Sequence, residues 1–491
     1  MFGPGIRRSG ARGRLAQPFL AQPFLAQPFL AQPFLAAPVL AVLLAVLLAA
    51  AACSSPRPPA HPAAPTAGAS TQPAVAPPAT PAGAQLRWLM AALGQLPLPD
   101  ALVRSHFDAA YLDQFSPPVL NQILQAVTGL RLLSIRVSQP STVVASIAAG
   151  GARGEIWLAV DGQGLVSWLR ISPVTAGPTP ATWAGVDGIL RQVAPQVRLL
   201  AADVSHGSCQ PVHSIDPDTA APLGSAFKLY VLDALADAVA AGKVRWDQQL
   251  TVTPQVKGLP PGELQIAPDS TQVSVQDTAA KMISLSDNTA ADMLINRVGR
   301  PAVEAALTDT GMTSPAMNLP FLTTREIFVL KLDQWPALAR RYIAADEPSR
   351  RALLSSIVDR APLPTVASTG SWTTPRDIDR LEYFASASDI CRAYASLAAL
   401  ARQPGLSPVS QMLSVNDDGL QLDPATWRTT WFKGGSEPGV LTLAFLAATR
   451  TGHSYVVTVL AENPSQPIDQ AMAIPAILSA VKGAFTLAAR G

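Results

Sequence analysis

The chain has 491 residues, enough for more than one domain, and 48% of them are apolar, so a sizeable core is expected. Its 36 Lys plus Arg balance 34 Asp plus Glu, and no dense basic run exists beyond a few arginines at the extreme N-terminus, which argues against a nucleic-acid binder. The three cysteines, Cys53, Cys209 and Cys391, form no CxxC pair, and the five histidines show no HExxH-type spacing, so neither a metal site nor a cofactor is expected.

Residues 1–53 read as an export signal. Arg7, Arg8, Arg12 and Arg14 form a basic start, Val39–Ala52 is an apolar run ending in small residues, and Cys53 follows at once. That Cys resembles the lipidated Cys of a bacterial lipobox, although Ala50 stands where Leu is usual. Plain cleavage near Ala52 and an uncleaved anchor are the alternatives, and the run is short for a spanning helix. Four tandem copies of Leu-Ala-Gln-Pro-Phe run from Leu15 to Phe34. A proline every five residues forbids a regular helix, and the period is too short for a solenoid unit. Residues 54–84, with nine prolines and one charge at Arg57, read as an extended linker. The expected location is extracytoplasmic, as a membrane-anchored lipoprotein or a secreted protein.

Residues 85–175 form a first folded unit. Helices are predicted over Leu86–Leu93, Asp100–Leu112 and Pro118–Val127, then strands over Leu130–Val137, Thr142–Ala148, Gly154–Val160 and Leu165–Ile171, with a hairpin signal at Asp161-Gly162. Helices before a strand meander predict a small α+β domain. No catalytic constellation is visible in it, and His106 reads as structural. Residues 182–491 form a second unit. A strand at Val197–Val204 and three closing strands, Thr429–Lys433, Val440–Thr449 and Tyr455–Ala461, predict an antiparallel sheet built from both ends of the unit, with helices on its faces and a last helix over Ile468–Ala489. For Cys209 and Cys391 free buried thiols are the default expectation, because sequence cannot place their Cα atoms within bonding range; export leaves a disulfide open.

Three motifs carry chemistry. In Gly224-Ser225-Ala226-Phe227-Lys228, an apolar helix from Ser225 to Ala241 stacks Ser225 and Lys228 one turn apart. The helix N-terminus favours a developing oxyanion, and burial lowers a lysine's pKa so that it accepts the serine proton. Ser286-Asp287-Asn288 is a polar loop between two apolar helices, the first with a capping box from Ser274 to Asp277. Lys433-Gly434-Gly435-Ser436 ends a strand, where glycines let a ligand approach the backbone. Each motif alone also fits a cap, a snorkelling lysine or a hairpin turn.

Together, in this order and with 61 residues from Ser225 to Ser286, they resemble the serine β-lactamase and penicillin-binding protein superfamily, whose signatures are S-x-x-K, S-D-N and K-T-G. The resemblance implies Ser225 as nucleophile, Lys228 as its base, Ser286 as proton relay, Asn288 as holder of a substrate amide and Lys433 as the attractor of a substrate carboxylate. The backbone N–H groups of Ser225 and Ser436 would form the oxyanion hole beside Gly434 and Gly435. Two departures stand out. Gly434 replaces the family's Thr. The Glu that class A enzymes carry to activate the deacylating water is missing: counting back from Ala385-Ser386 finds Ser371-Trp372-Thr373-Thr374 in its place, with Glu326 and Glu382 out of register. A small α+β domain ahead of such a domain resembles the cephalosporin-esterase-like group of clavulanic acid gene clusters, which implies a cystatin-like or steroid-isomerase-like leading domain, weak esterase activity and little β-lactamase activity. The expected function is a serine acyl hydrolase, esterase or weak β-lactamase, with a small acyl or β-lactam substrate. A cell-wall peptidase acting on peptidoglycan stem peptides and a β-lactam-binding lipoprotein with negligible turnover are the alternatives.

Overall fold

The computed structural model describes residues 75–490 apart from 126, 150, 151, 175–177 and 370. The export signal, the pentapeptide repeats, Cys53 and most of the linker lie outside the described residues.

Helix α1 (Pro81–Ala92) begins at Pro81 rather than Leu86. Thr80 Oγ1 accepts from Gly83 N at 3.0 Å, and a proline in the first turn sacrifices no hydrogen bond. The helix predicted over Asp100–Leu112 is instead two short ones, Asp100–Arg104 and Ala109–Gln114. Between them Phe107 bridges to Val166, and Asp108 Oδ1 accepts from Tyr111 N at 2.5 Å, which starts a new helix where the pattern runs on. After Pro117–Gln125 comes an antiparallel meander, β1 (Arg131–Ser138), β2 (Thr142–Ala149), β3 (Ala152–Val160) and β4 (Val166–Val174), paired in that order. Leu86, Leu89, Phe107 and Leu120 pack against Val143, Ile147, Ile156 and Leu158 in a core of their own.

The second region opens with α2 (Trp183–Leu190). Its sheet runs β11-β12-β13-β5-β6, so strands from both ends of the region lie side by side: β5 (Gln196–Asp203), β6 (Gln210–Ile215), β11 (Trp427–Glu437), β12 (Val440–Thr449) and β13 (Ser454–Glu462). Strand β6 escaped prediction because an edge strand that exposes Pro211 and Val212 lacks the apolar alternation of a half-buried one. Alternation by two divides the central strands between two cores. Leu199, Ala201, Phe445, Val457 and Val459 face α2 and the closing helix Gln470–Ala488. Leu200, Ala202, Ala444, Leu446 and Val456 face the helical layer on the other side. This is an α+β architecture, an antiparallel sheet flanked by helices. Short pairs β7 (Ala221–Pro222) with β10 (Phe384–Ala385), and β8 (Gln249–Thr251) with β9 (Gln272–Ser274), are the remaining strands among the described residues.

Cys209 and Cys391, for which free thiols are the default expectation, are disulfide-bonded, with Cα atoms 6.2 Å apart, inside bridging range. Their separation of 182 residues along the chain hides this proximity from the sequence. No described helix is long and apolar enough to cross a membrane.

Candidate active site

Ser225 lies in a 3-10 turn, Gly224–Phe227, which leads into helix α3 (Lys228–Ala240); the α-helix thus starts three residues later than the apolar pattern predicts. In a 3-10 turn residues three apart eclipse, which brings Lys228 Nζ to 3.1 Å from Ser225 Oγ. Gly224 has φ +52, and a Cβ there would stand 2.6 Å from Ser436 N. A Cβ on Gly435 would stand 2.5 Å from Ser225 N and 2.1 Å from Leu223 O. Both positions therefore demand glycine: the serine turn and strand β11 run backbone against backbone, with the amides of Ser225 and Ser436 drawn together.

Helix α4 (Val275–Ser284) ends in the Ser-Asp-Asn loop, and helix α5 (Asn288–Val298) follows. Asp287 caps α5 through Ala290 N at 2.8 Å, while its other oxygen accepts from Glu263 N and Leu264 N at 2.8 and 2.9 Å. Ser286 is held at φ +58, a conformation rare outside glycine and found at functional sites. It points its hydroxyl between two lysines, 3.2 Å from Lys228 Nζ and 3.0 Å from Lys433 Nζ.

Lys228 is fully buried, and its partners are neutral: the Ser225 and Ser286 hydroxyls, the Ser286 carbonyl at 2.5 Å and Asn288 Oδ1 at 2.7 Å. Burial first, and then Lys433, pull its pKa well below the ordinary lysine value, against the opposing fields of Asp287 and Asp292. Lys433 donates to Gly434 O at 2.7 Å, and burial lowers its pKa to about 7 while Asp418 pulls the other way. A neutral lysine amine one hydrogen bond from a serine hydroxyl can take its proton, and the Ser286 hydroxyl can carry a proton onward.

One expectation changes, and the two departures from the family pattern gain a physical account. Asn288 does not offer its amide to a ligand: Nδ2 donates to Leu259 O and Pro260 O at 2.9 and 3.1 Å, and Oδ1 holds Lys228. At Gly434 the tip of the Phe432 ring stands 2.7 Å from where a Cβ would be, so the family's Thr side chain would require that ring to shift. The segment 371–374 supplies no carboxylate, and its Trp372 ring lies 5.1 Å from Lys331 Nζ. Helix α6 (Thr324–Leu332) meets the Ser-Asp-Asn loop: Asp292 accepts from Thr324 N and Arg325 N at 2.7 and 2.9 Å, and Thr324 Oγ1 donates to Asn288 O at 3.3 Å. Glu326 pairs with Arg300 at 2.6 Å, and Glu382 accepts from Gly224 N and Tyr383 N at 3.2 and 2.6 Å, so neither carboxylate is free to activate a water.

A cleft of about 670 Å³ opens over these groups, lined by Ser225, Ser286 and Lys433 and, from β3 and β4, by Trp157, Trp168 and Arg170. Arg170 reaches Asp418 at 3.1 Å, and Ser141 and Thr142 donate to Glu263 at 3.4 and 3.5 Å. Sequence reasoning missed this wall, since nothing local marks a residue whose partner lies some 250 positions away. It also missed Lys331 and Glu437. A lone lysine in the apolar run Ile327–Leu332, and an acid directly after Lys-Gly-Gly-Ser, are the signals that point to them.

Residues 184–380 match the family model of the beta-lactamase enzyme family, and residues 77–166 match that of the ORF 12 gene product N-terminal. Ser225, Lys228, Ser286 and Asn288 fall inside the first match and Lys433 outside it. Among solved structures, a PBP-A structure is 18% identical, covers 64% of this chain and 100% of its own, with a TM-score of 0.43. A β-lactamase from Sphaerobacter thermophilus is 19% identical over 62% and 97%, at 0.44, and one from Chitinophaga pinensis is 15% identical over 62% and 98%, at 0.42. No curated protein matches the chain.

Proposed function

We propose that this chain is an exported serine acyl hydrolase of the β-lactamase-related kind, acting through an acyl-enzyme on Ser225. The observation that carries the reading is the fully buried Lys228 amine, 3.1 Å from Ser225 Oγ and with its pKa pulled well down. Neutral Lys228 takes the Ser225 proton as Oγ attacks an acyl carbonyl. The oxyanion forms between the Ser225 and Ser436 amides, a donor of that kind being worth about 2.7–4 kcal/mol in the transition state. The proton passes through Ser286 Oγ to the leaving group, and Lys433 draws in a substrate carboxylate. Asn288 acts as a positioning residue that aims Lys228 and ties down the 259–261 loop.

Simple esters are the preferred substrates and β-lactams the slowly released ones, because Glu326, Glu382 and Asp418 are each engaged by protein partners. The same observation favours a second reading, a β-lactam-binding lipoprotein with little turnover, over a stem-peptide peptidase. A closer kinship to the cephalosporin-esterase-like group, with its cystatin- or steroid-isomerase-like leading domain, is supported by the order of the two matched regions. The boundaries 54–84, 85–175 and 182–491, and an anchor at Cys53, belong to this proposal; the Cys209–Cys391 bond supports an oxidising compartment.

Peptide mapping by mass spectrometry after a fluorophosphonate or a fluorescent penicillin tests the reading. One label on the peptide carrying Ser225 is expected, and it disappears in Ser225→Ala. Labelling that persists in that variant would sink the assignment.

A further inference from the structure

On the other side of the serine turn from the two lysines lies a second buried charged cluster with no part in the chemistry above. Lys331, in α6, is completely buried, and its Nζ sits 2.5 and 2.7 Å from the two carboxylate oxygens of Glu437, whose side chain is 7% exposed. The Trp372 ring lies 5.1 Å from the same Nζ. Glu437 in turn neighbours Glu382, and each carboxyl shifts the other. Glu382 Oε2 accepts the backbone N–H of Gly224 at 3.2 Å. The connectivity matters. Glu437 follows Ser436 on β11, and Gly224 precedes Ser225. The cluster therefore joins the two backbones whose amides would have to face a single oxyanion.

We propose that Glu382 and Glu437, bridged by one proton and neutralised by Lys331, are positioning residues that staple β11 to the serine turn and set the separation of the Ser225 and Ser436 amides. The inference rests on the acyl-transfer reading of Ser225. Two neighbouring carboxyls in a buried place are stabilised by sharing a proton, since like charges so close cannot both ionise cheaply. With that proton the cluster is neutral overall, one lysine cation against one carboxylate anion. When it leaves, two carboxylates face each other, the staple parts, and an uncompensated anion stands beside the place where the oxyanion forms. Burial pushes Glu437 up to about 8, with Lys331 pulling it down and Glu382 up, and burial raises Glu382 as well. Tyr383 adjoins Glu382; Tyr342, Arg350 and Arg380 line a small cavity beside it; and Arg376 Nη1 donates to Lys331 O at 2.6 Å.

The test is the rate of fluorophosphonate labelling of Ser225 from pH 6 to 10 in the wild type and in Glu437→Gln. The amide cannot ionise, so Lys331 and Glu382 stay balanced at every pH. In the wild type the rate should fall about tenfold per pH unit above about pH 8, as for loss of a single proton, and in the variant that alkaline limb should vanish. The effect of Lys433, which titrates lower, should remain in both. An identical alkaline limb in both proteins, or none in the wild type, overturns the staple while leaving the Ser225 reading intact. A wild type unlabelled at every pH overturns both. Should that variant fail to fold, Glu382→Gln, which removes the other half of the carboxyl pair, is read in the same way: its alkaline limb should vanish too, and an unchanged limb refutes the shared proton.

Discussion

The two sides of the Ser225 turn make the same move with opposite signs. On one side are two buried lysines, Lys228 and Lys433, whose direct partners are hydroxyls, carbonyls and an amide. On the other are two buried carboxylates and a single lysine. Burial disfavours charge in both places: it pushes Lys228 and Lys433 down and Glu382 and Glu437 up. A lysine pushed towards neutrality beside a hydroxyl is a base. A carboxyl pushed towards neutrality beside a carboxylate is a hydrogen-bond donor. Composition of the cluster, not burial, separates a reactive site from a structural tie.

The parallel substitutions Lys228→Met and Lys331→Met break this comparison most directly. Lys228→Met should lower the acylation rate by roughly 10²–10⁴-fold, the usual worth of a general base, while denaturant midpoints hold or rise because a buried amine is replaced by an apolar chain. Lys331→Met should leave two carboxylates without their cation and cost about 3–5 kcal/mol of stability, read from urea unfolding. Equal effects of the two variants on rate and stability would refute the division of labour. Next in size is the contrast between substrates. With Glu326 held by Arg300 and Glu382 by Gly224 and Tyr383, a β-lactam acyl-enzyme should persist while small esters turn over. Stopped-flow hydrolysis of a chromogenic cephalosporin at about 10 s⁻¹ or more, typical of an efficient enzyme, would show that some group supplies the base after all. A smaller effect concerns charge selection. Lys433→Ala should weaken anionic substrates more than neutral esters, and equal losses in kcat/KM would make Lys433 a proton-handling residue only.

How much of this the sequence disclosed depends on the range of the interaction. Ser225 and Lys228 were legible because a single turn joins them, and the closing strands were legible because β12 and β13 are continuous apolar runs bounded by turns. Pairings across the fold were not. The contact between Cys209 and Cys391, the reach of Arg170 to Asp418 and the meeting of Glu382 with Glu437 depend on tertiary placement that no local pattern encodes. Counting back from Ser386 leads to 371–374, whereas α6 reaches Asn288 from a point far earlier in the chain. Counting along a loop of rebuilt length locates nothing in space.

The smallest expected effect sharpens the comparison furthest, because it reads both sides in one experiment. Glu437 titrates at about 8 in the folded chain against an ordinary 4.5, so between those values the folded state holds a proton that the unfolded state has lost. Stability tied to it is full at low pH and is lost as pH rises through that window. Lys433 titrates at about 7 against an ordinary 10.5, so across that upper window the unfolded state holds the extra proton, and its share of stability appears as pH rises and is lost as pH falls through 7. Thermal midpoints of Glu437→Gln should therefore gain on the wild type from pH 5 to 8. Those of Lys433→Met should show their largest advantage below pH 7 and lose it towards pH 10. If both variants run parallel to the wild type across the range, neither group changes its proton on folding, and the opposed titration of the two clusters is wrong.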